Sequence, residues 1–213
     1  MAVVGLVIGV LYLASFPALG MSSKLEVTRF VEGKAKSESR PGETFFFRGL
    51  SLQSRAWELK RLALFNGEAS AVELSHAELN AWLEYQFRPV AVPAATESQT
   101  NLLIIPGVPN VYMGTEIVYL SFPTKLVLYG SRHDYTIICA FKIMDIAGVN
   151  QFRLVSLNIE SAGIPFAGYL GQKIVDTLLQ AYSGSDEFAS MQNAWARVDS
   201  VRQFEGGIRL TLR

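Results

Sequence analysis

"VELSHAELNAWL", residues Val72 to Leu83, decides how this chain is read. It joins the end of a strand to the start of a helix. "SAVEL", Ser70 to Leu74, alternates polar and apolar residues as a short half-buried strand does. Ser75 follows, and Glu78 stands three positions later. That spacing is a capping box: the Ser75 hydroxyl accepts the Glu78 N–H while the Glu78 carboxylate accepts the Ser75 N–H. Leu79, Trp82, Leu83 and Phe87 then recur at helical spacing and share one stripe. Pro89 closes the run, because the residue before a proline is pushed out of the helical region. A chain that passes from period two to helical period across one serine mixes strand and helix.

Upstream of this stretch, Leu52, Trp57, Leu59, Leu62, Ala63 and Phe65 predict a helix over 52–65. Asn66-Gly67 supplies its stop, since glycine tolerates the left-handed conformation that ends helices. Downstream, "PVAVPAATESQT" (89–100) reads as a loop, and the pattern then turns to period two. "LLIIPGV", "TEIVYLSFP", "TKLVLYG", "DYTIICAFKI" and "NQFRLVSLNIE" are predicted strands, separated by Gly, Pro, Asn or charged turns. Their short links imply antiparallel meanders. In the last of them Phe152 and Leu154 alternate in one phase and Leu157 and Ile159 in the other, which predicts a bulge between.

"FAGYLGQKIVDTLLQAY" (166–182) is a predicted helix with Leu170, Ile174, Leu178 and Ala181 as its inner stripe. Asp186 and Glu187 open another helix, where acidic residues suit the positive end of the macrodipole. "RVDSVRQF", Glu205-Gly206-Gly207 and "IRLTLR" form a closing hairpin. The reading is an α+β fold: an N-terminal transmembrane helix, then a curved antiparallel β-sheet packed against two to four helices. It divides into an anchor at 1–21, a polar stalk at 22–49 and a single α+β domain at 50–213.

The anchor expectation rests on charge. The chain has 213 residues with nineteen Lys+Arg against nineteen Asp+Glu, yet none of these lies before Lys24. Ala2 to Leu19 would make a helix of about 27 Å, close to a bilayer's hydrocarbon thickness. Ala18-Leu19-Gly20 has the small-residue spacing of a signal-peptidase site, but the charged n-region is missing and the apolar run is long. An uncleaved single-pass anchor is the expectation. The basic residues following the span, Lys24, Arg29, Lys34, Lys36 and Arg40, argue for a cytoplasmic domain.

A balanced charge gives no pull towards nucleic acid, and basic-aromatic interleaving is absent. His76 and His133 have no second His or Cys at metal-ligand spacing, so neither a metal nor a cofactor is expected. Phosphate-binding and nucleophile-elbow motifs are missing. Asp186 with Glu187 reads as helix-start charge, and Cys139, in an apolar run, as a small buried hydrophobe. A non-enzymatic role is expected.

The charge-free span, "VELSHAELNAWL", "GIPFAGYLGQKIVDTLL" and the closing "ARVDSVRQFEGGIRLTL" together resemble the YpmS-like group of bacterial single-pass proteins. Leu74, Ser75, Glu78, Leu79, Asn80 and Leu83 match that group's L-S-x-x-E-L-N-x-L helix start. Gly163 and Pro165 match its G-x-x-P one residue tighter; Val198, Val201, Gly207 and Leu210 match its closing strand pair approximately. A looser resemblance extends to tubular lipid-binding (TULIP-like) domains, in which a curved antiparallel sheet wraps a long helix around an apolar tunnel. The resemblance implies architecture and an extracytoplasmic place at the cell membrane.

Two functional expectations follow. The strands "IVYL" and "TIICAF" are apolar on both faces, so either the core is closed or an apolar groove remains for an acyl chain. In the second case the groove would be lined by Trp82, Phe87, Leu170, Ile174 and Leu178. In the first, the domain is an interaction or structural module that docks an envelope protein partner and takes no ligand. In either case residues 2–20 would make the membrane contact.

Overall fold

The structure, a computed structural model, describes residues 2–21, 45–47, 55–87, 102–129, 131–146, 149–165 and 167–213. The expected loop at 89–100 and all of the expected stalk except 45–47 lie outside the described residues.

The architecture is α+β with antiparallel sheets. Helix α1 (Ala2–Ala14) is followed by two short strands, β1 (Leu19–Met21) and β2 (Phe45–Phe47). Helix α2 (Ala56–Asn66) ends at Gly67, whose φ of 71° is the left-handed cap expected of it. Strand β3 (Ala71–Ser75) runs straight into helix α3 (His76–Gln86), and the capping box between Ser75 and Glu78 is formed on both sides. Strands β4 (Leu102–Pro106), β5 (Asn110–Met113), β6 (Val118–Leu128), β7 (Ser131–Ile146), β8 (Val149–Ile159) and β9 (Ala162–Gly163) come next. A π-helical turn, Ala167–Gly171, leads into α4 (Gln172–Gln180). Helix α5 (Asp186–Trp195) and the hairpin β10 (Val198–Phe204) and β11 (Gly207–Leu212) complete the chain.

The larger sheet has the order β4-β6-β7-β8-β9, with β5 also paired to β6. The smaller is β10-β11-β3. Here β3 joins the closing hairpin from more than a hundred residues away, Leu74 opposite Ile208 and Val72 opposite Leu210. The core lies between the sheets and under the helices. It takes Phe122, Cys139 and Leu157 from the large sheet and Trp57, Leu64 and Trp82 from the helices. Burial pushes the Cys139 thiol up to about 12, so it stays protonated and apolar.

Three details depart from the expectations. First, "TEIVYLSFP" and "TKLVLYG" are one strand, β6, with Pro123 inside it. Proline is tolerated there because it sits where β5 ends and β4 begins. The opposite residue, Thr136, turns its N–H and C=O away from Pro123 towards Glu160. Pro123 also uses its carbonyl, which accepts from Gly107 N at 2.5 Å. Second, His133, expected in a turn, lies in β7 opposite Leu126. Third, the π turn adds a residue before α4 and so takes Leu170 out of line with the residues that follow. Within α4 the buried face is Val175 and the expected Leu178, with Ile174 partly buried beside them and Tyr182 buried just after the helix. The bulge expected in β8 is present: Ala140 pairs with Ser156 and Phe141 with Leu154, leaving Val155 as the extra residue.

The N-terminal run is also shorter as a helix than its apolar length suggests. Helix α1 has 13 residues, about 20 Å at 1.5 Å per residue. No helix among the described residues is long and apolar enough to cross a membrane. Pro17 accounts for the early end, because it lacks an N–H and disfavours helix in Phe16. The chain after it is tied to the domain. Phe16 O accepts from Ser161 N at 3.2 Å, and Ala18 N donates to the buried Glu160 carboxylate at 2.6 Å.

Candidate apolar-ligand cavity

The amphipathic stripe that follows Ser75 ends in a cavity. Between the two sheets lies a space of about 240 Å³, lined almost wholly by apolar side chains. Helix α3 contributes Leu79, Trp82, Leu83 and Phe87. The floor is Val118, Leu120 and Phe122 of β6 with Val111 and Met113 of β5. Leu74, Ile208 and Leu210 close it from the small sheet, and Phe188, Met191 and Trp195 from α5. Alternation explains the lining: on each strand every second residue points the same way, and these are the apolar ones.

The polar atoms in this wall are already engaged. Trp82 Nε1 donates to Glu187 Oε1 at 2.5 Å. Arg61 binds the same carboxylate at both oxygens, with Nε 2.5 Å from Oε1 and Nη2 on Oε2. The Arg61 guanidinium also lies 4.7 Å from the Phe65 ring centre. Glu187 was expected only as helix-start charge; it is a buried anchor between α2, α3 and α5. Tyr182 Oη donates to Gly107 O at 2.5 Å, and burial raises its pKa. A ligand inside would therefore find no free donor on Trp82 or Tyr182.

Asn80 fixes the position of one wall. Its amide donates to Val111 O at 2.8 Å and accepts from Val111 N at 2.7 Å. The side chain thus replaces a neighbouring strand for β5, whose other side pairs with β6. Beneath the same helix start, burial opposes ionisation of Glu78. Lys60 Nζ at 2.6 Å and the Ser75 donors outweigh it and hold the carboxyl below its usual range.

Of the five residues expected to line a groove, Trp82 and Phe87 do so. Leu178 is buried in the core beside it, and Ile174 is partly buried against that core. Leu170 lies on the π turn and is 44% exposed. The helical wall on that side is instead Leu179 and Tyr182. Met113, Leu120, Phe152 and Trp195 were not anticipated. Each looks in sequence like any other apolar strand or helix position.

His76 lies at the first turn of α3, outside the cavity lining. It stacks on Tyr112 with ring centres 5.3 Å apart, and its Nδ1 is buried without a partner. Burial lowers its pKa. The sign of the consequence follows: below about pH 6.5, the ordinary histidine value, the unfolded chain takes up a proton that the folded one resists. Stability is then full above that pH and falls as pH drops through the window beneath it. Urea midpoints at pH 7.5 and 5.5 should fall further for the wild type than for His76→Gln. Equal falls would mean that His76 is not the group responsible.

Among the described residues, no three His, Cys, Asp or Glu side chains gather as a metal ion would require. No family model matches the chain, and no curated protein matches it.

Proposed function

We propose that this chain is a membrane-associated, non-enzymatic binding protein that holds a small apolar molecule, or the apolar end of a lipid, in the cavity beneath α3. The observation that carries the reading is a 240 Å³ space with apolar walls, in which the polar hydrogens of Trp82 and Tyr182 are already donated to protein acceptors. Water gains little in such a space, whereas hydrocarbon keeps every contact. A cavity of about 150 Å³ holds benzene, so this one takes about nine or ten carbons. At roughly 0.8 kcal/mol per methylene the gross gain is about 8 kcal/mol, the scale of micromolar affinity. That affinity survives only if little is lost to ordering, which a preformed cavity provides.

The N-terminal segment supports a place at the cell membrane. Leu6, Ile8, Leu11 and Tyr12 of α1 are exposed and no charge accompanies them. An exposed apolar helix is favoured in a bilayer and disfavoured in water. Helix α1 would insert there and, through the bonds of Phe16 and Ala18 to the domain, keep the cavity near its ligand. An extracytoplasmic domain follows from the YpmS-like and TULIP-like resemblance.

Mass spectrometry of organic extracts from the purified full-length chain tests the proposal. The wild type is expected to carry an alkyl or aryl compound, and the cavity-filling Leu120→Trp to lose it. A folded wild type that yields none, and whose melting temperature does not rise with saturating n-decanol, would overturn it. The domain would then be a docking module for an envelope protein partner.

A further inference from the structure

We infer that the cavity takes a single-chain amphiphile, apolar end first, through a gate formed by Phe152 and Trp195. This deepens the function proposed above and rests on it. The lining is not uniformly buried. Leu74 and Phe122 are each 1% exposed, whereas Phe152 is 44% and Leu179 37% exposed. The half-exposed residues mark where the cavity approaches solvent: between β8, the end of α4 and α5. There the Phe152 and Trp195 rings lie 5.1 Å apart, tilted by 36°, and both line the cavity.

The two seams joining the sheets differ in how they are held. On the β5 side, backbone and side chains tie them together. Gly206 N donates to Met113 O at 3.0 Å and Gln203 Nε2 to Gly114 O at 2.7 Å. Asn80 holds the same strand from α3 through its two bonds to Val111. On the β8 side, β9 pairs with β8 only at Asn158 and Ile159. The edge before those residues faces β10, and Asn150 Nδ2 reaches across to Asp199 O at 3.1 Å. Parting the first seam breaks a backbone bond and the part-buried Gln203 bond beside it. Parting the second breaks an exposed side-chain bond and separates two rings, so this is the side that opens.

The same geometry sets the ligand class. The interior engages no head group, so a polar end must stay at the mouth. The rim there is polar, with Asn150, Asp199 and Arg213, whose Nε lies 3.2 Å from Asp199 Oδ1. The interior volume limits how much of the chain is sheltered, to about ten carbons.

Primary n-alkanols from hexanol to tetradecanol test both parts on the full-length chain, with tryptophan fluorescence as the readout. Affinity is expected to rise about fourfold per added methylene up to about decanol and then to level off. Phe152→Ala should speed decanol association by tenfold or more, which loss of a wall contact alone would not do, since that loss speeds dissociation only. Phe152→Leu, which keeps more of the packing on Phe141, should fall between. Binding by the wild type with association rates unchanged in both variants overturns the gate and leaves the cavity reading standing. Affinity that keeps rising through tetradecanol overturns the volume limit. A wild type that binds no alkanol ends this inference and the proposed function together.

Discussion

Glu187→Ala is expected to lower the unfolding free energy by about 3–5 kcal/mol, the usual consequence of removing one partner of a buried charge pair. The Glu187 side chain is 7% exposed and that of Arg61 21%. Without the carboxylate, the Arg61 guanidinium and the Trp82 indole N–H both lose their acceptor in a region that water reaches poorly. The cost of leaving them unpaired exceeds what the pair contributes over an apolar substitute, because desolvation of the remaining charge is no longer offset. Glu187→Gln keeps an acceptor for Trp82 and should lose less. Arg61→Ala should lose a comparable amount, and the double variant little more than either, since the three groups act as a unit. Urea denaturation of the four variants beside the wild type measures this. A loss below 1 kcal/mol for Glu187→Ala would mean that water reaches the pair freely. The cavity wall is held by the same contacts, so ligand affinity should fall with stability.

Asn80→Ala should cost about 2–6 kcal/mol, taking roughly 1–3 for each buried backbone group left unsatisfied. The two groups are the N–H and C=O of Val111, which have the Asn80 amide where another strand would be. Strand β5 would remain paired with β6 on one side only. Its Val111 and Met113 side chains would lose their fixed place in the cavity wall. Asn80→Asp is a sharp comparison: it keeps an acceptor for the N–H but loses the donor and places a carboxylate in a buried site. It should therefore be no better than alanine. Hydrogen exchange at the Val111 amide, read beside the denaturation midpoint, separates local from global loss. An amide as protected in Asn80→Ala as in the wild type would refute the bridging role.

Asn80 also shows where sequence reading stops. The residue stood within the L-S-x-x-E-L-N-x-L pattern, so its position was visible, but its partner, Val111, is 31 residues away. Glu187 is similar: beside Asp186 it reads as ordinary helix-start charge, and only the approach of Arg61 and Trp82 makes it an anchor. At 166–182 Leu178 was placed correctly, and Leu170 was misplaced for a local reason. A π turn inserts one residue, and an apolar pattern of Leu and Ile does not announce it. Pro123 misled in the opposite direction, splitting one strand into two, because its tolerance depends on the gap between β5 and β4.

Local physical chemistry, carried within a few residues, determined most of the elements, with the joined strand at Pro123 and the π turn as the exceptions. The Ser75 box, the Gly67 cap, the helix start at Asp186, the β8 bulge and the closing hairpin all depend on neighbours in sequence. So did the α+β class, which follows from the period of the apolar residues. Tertiary structure alone decided what those elements enclose. The pairing of β3 with β11, the bridging by Asn80 and the 240 Å³ space beneath Trp82 and Phe87 all join distant parts of the chain. An apolar residue facing a cavity and one filling a core have the same period and composition. Only the distance to the opposite wall tells them apart.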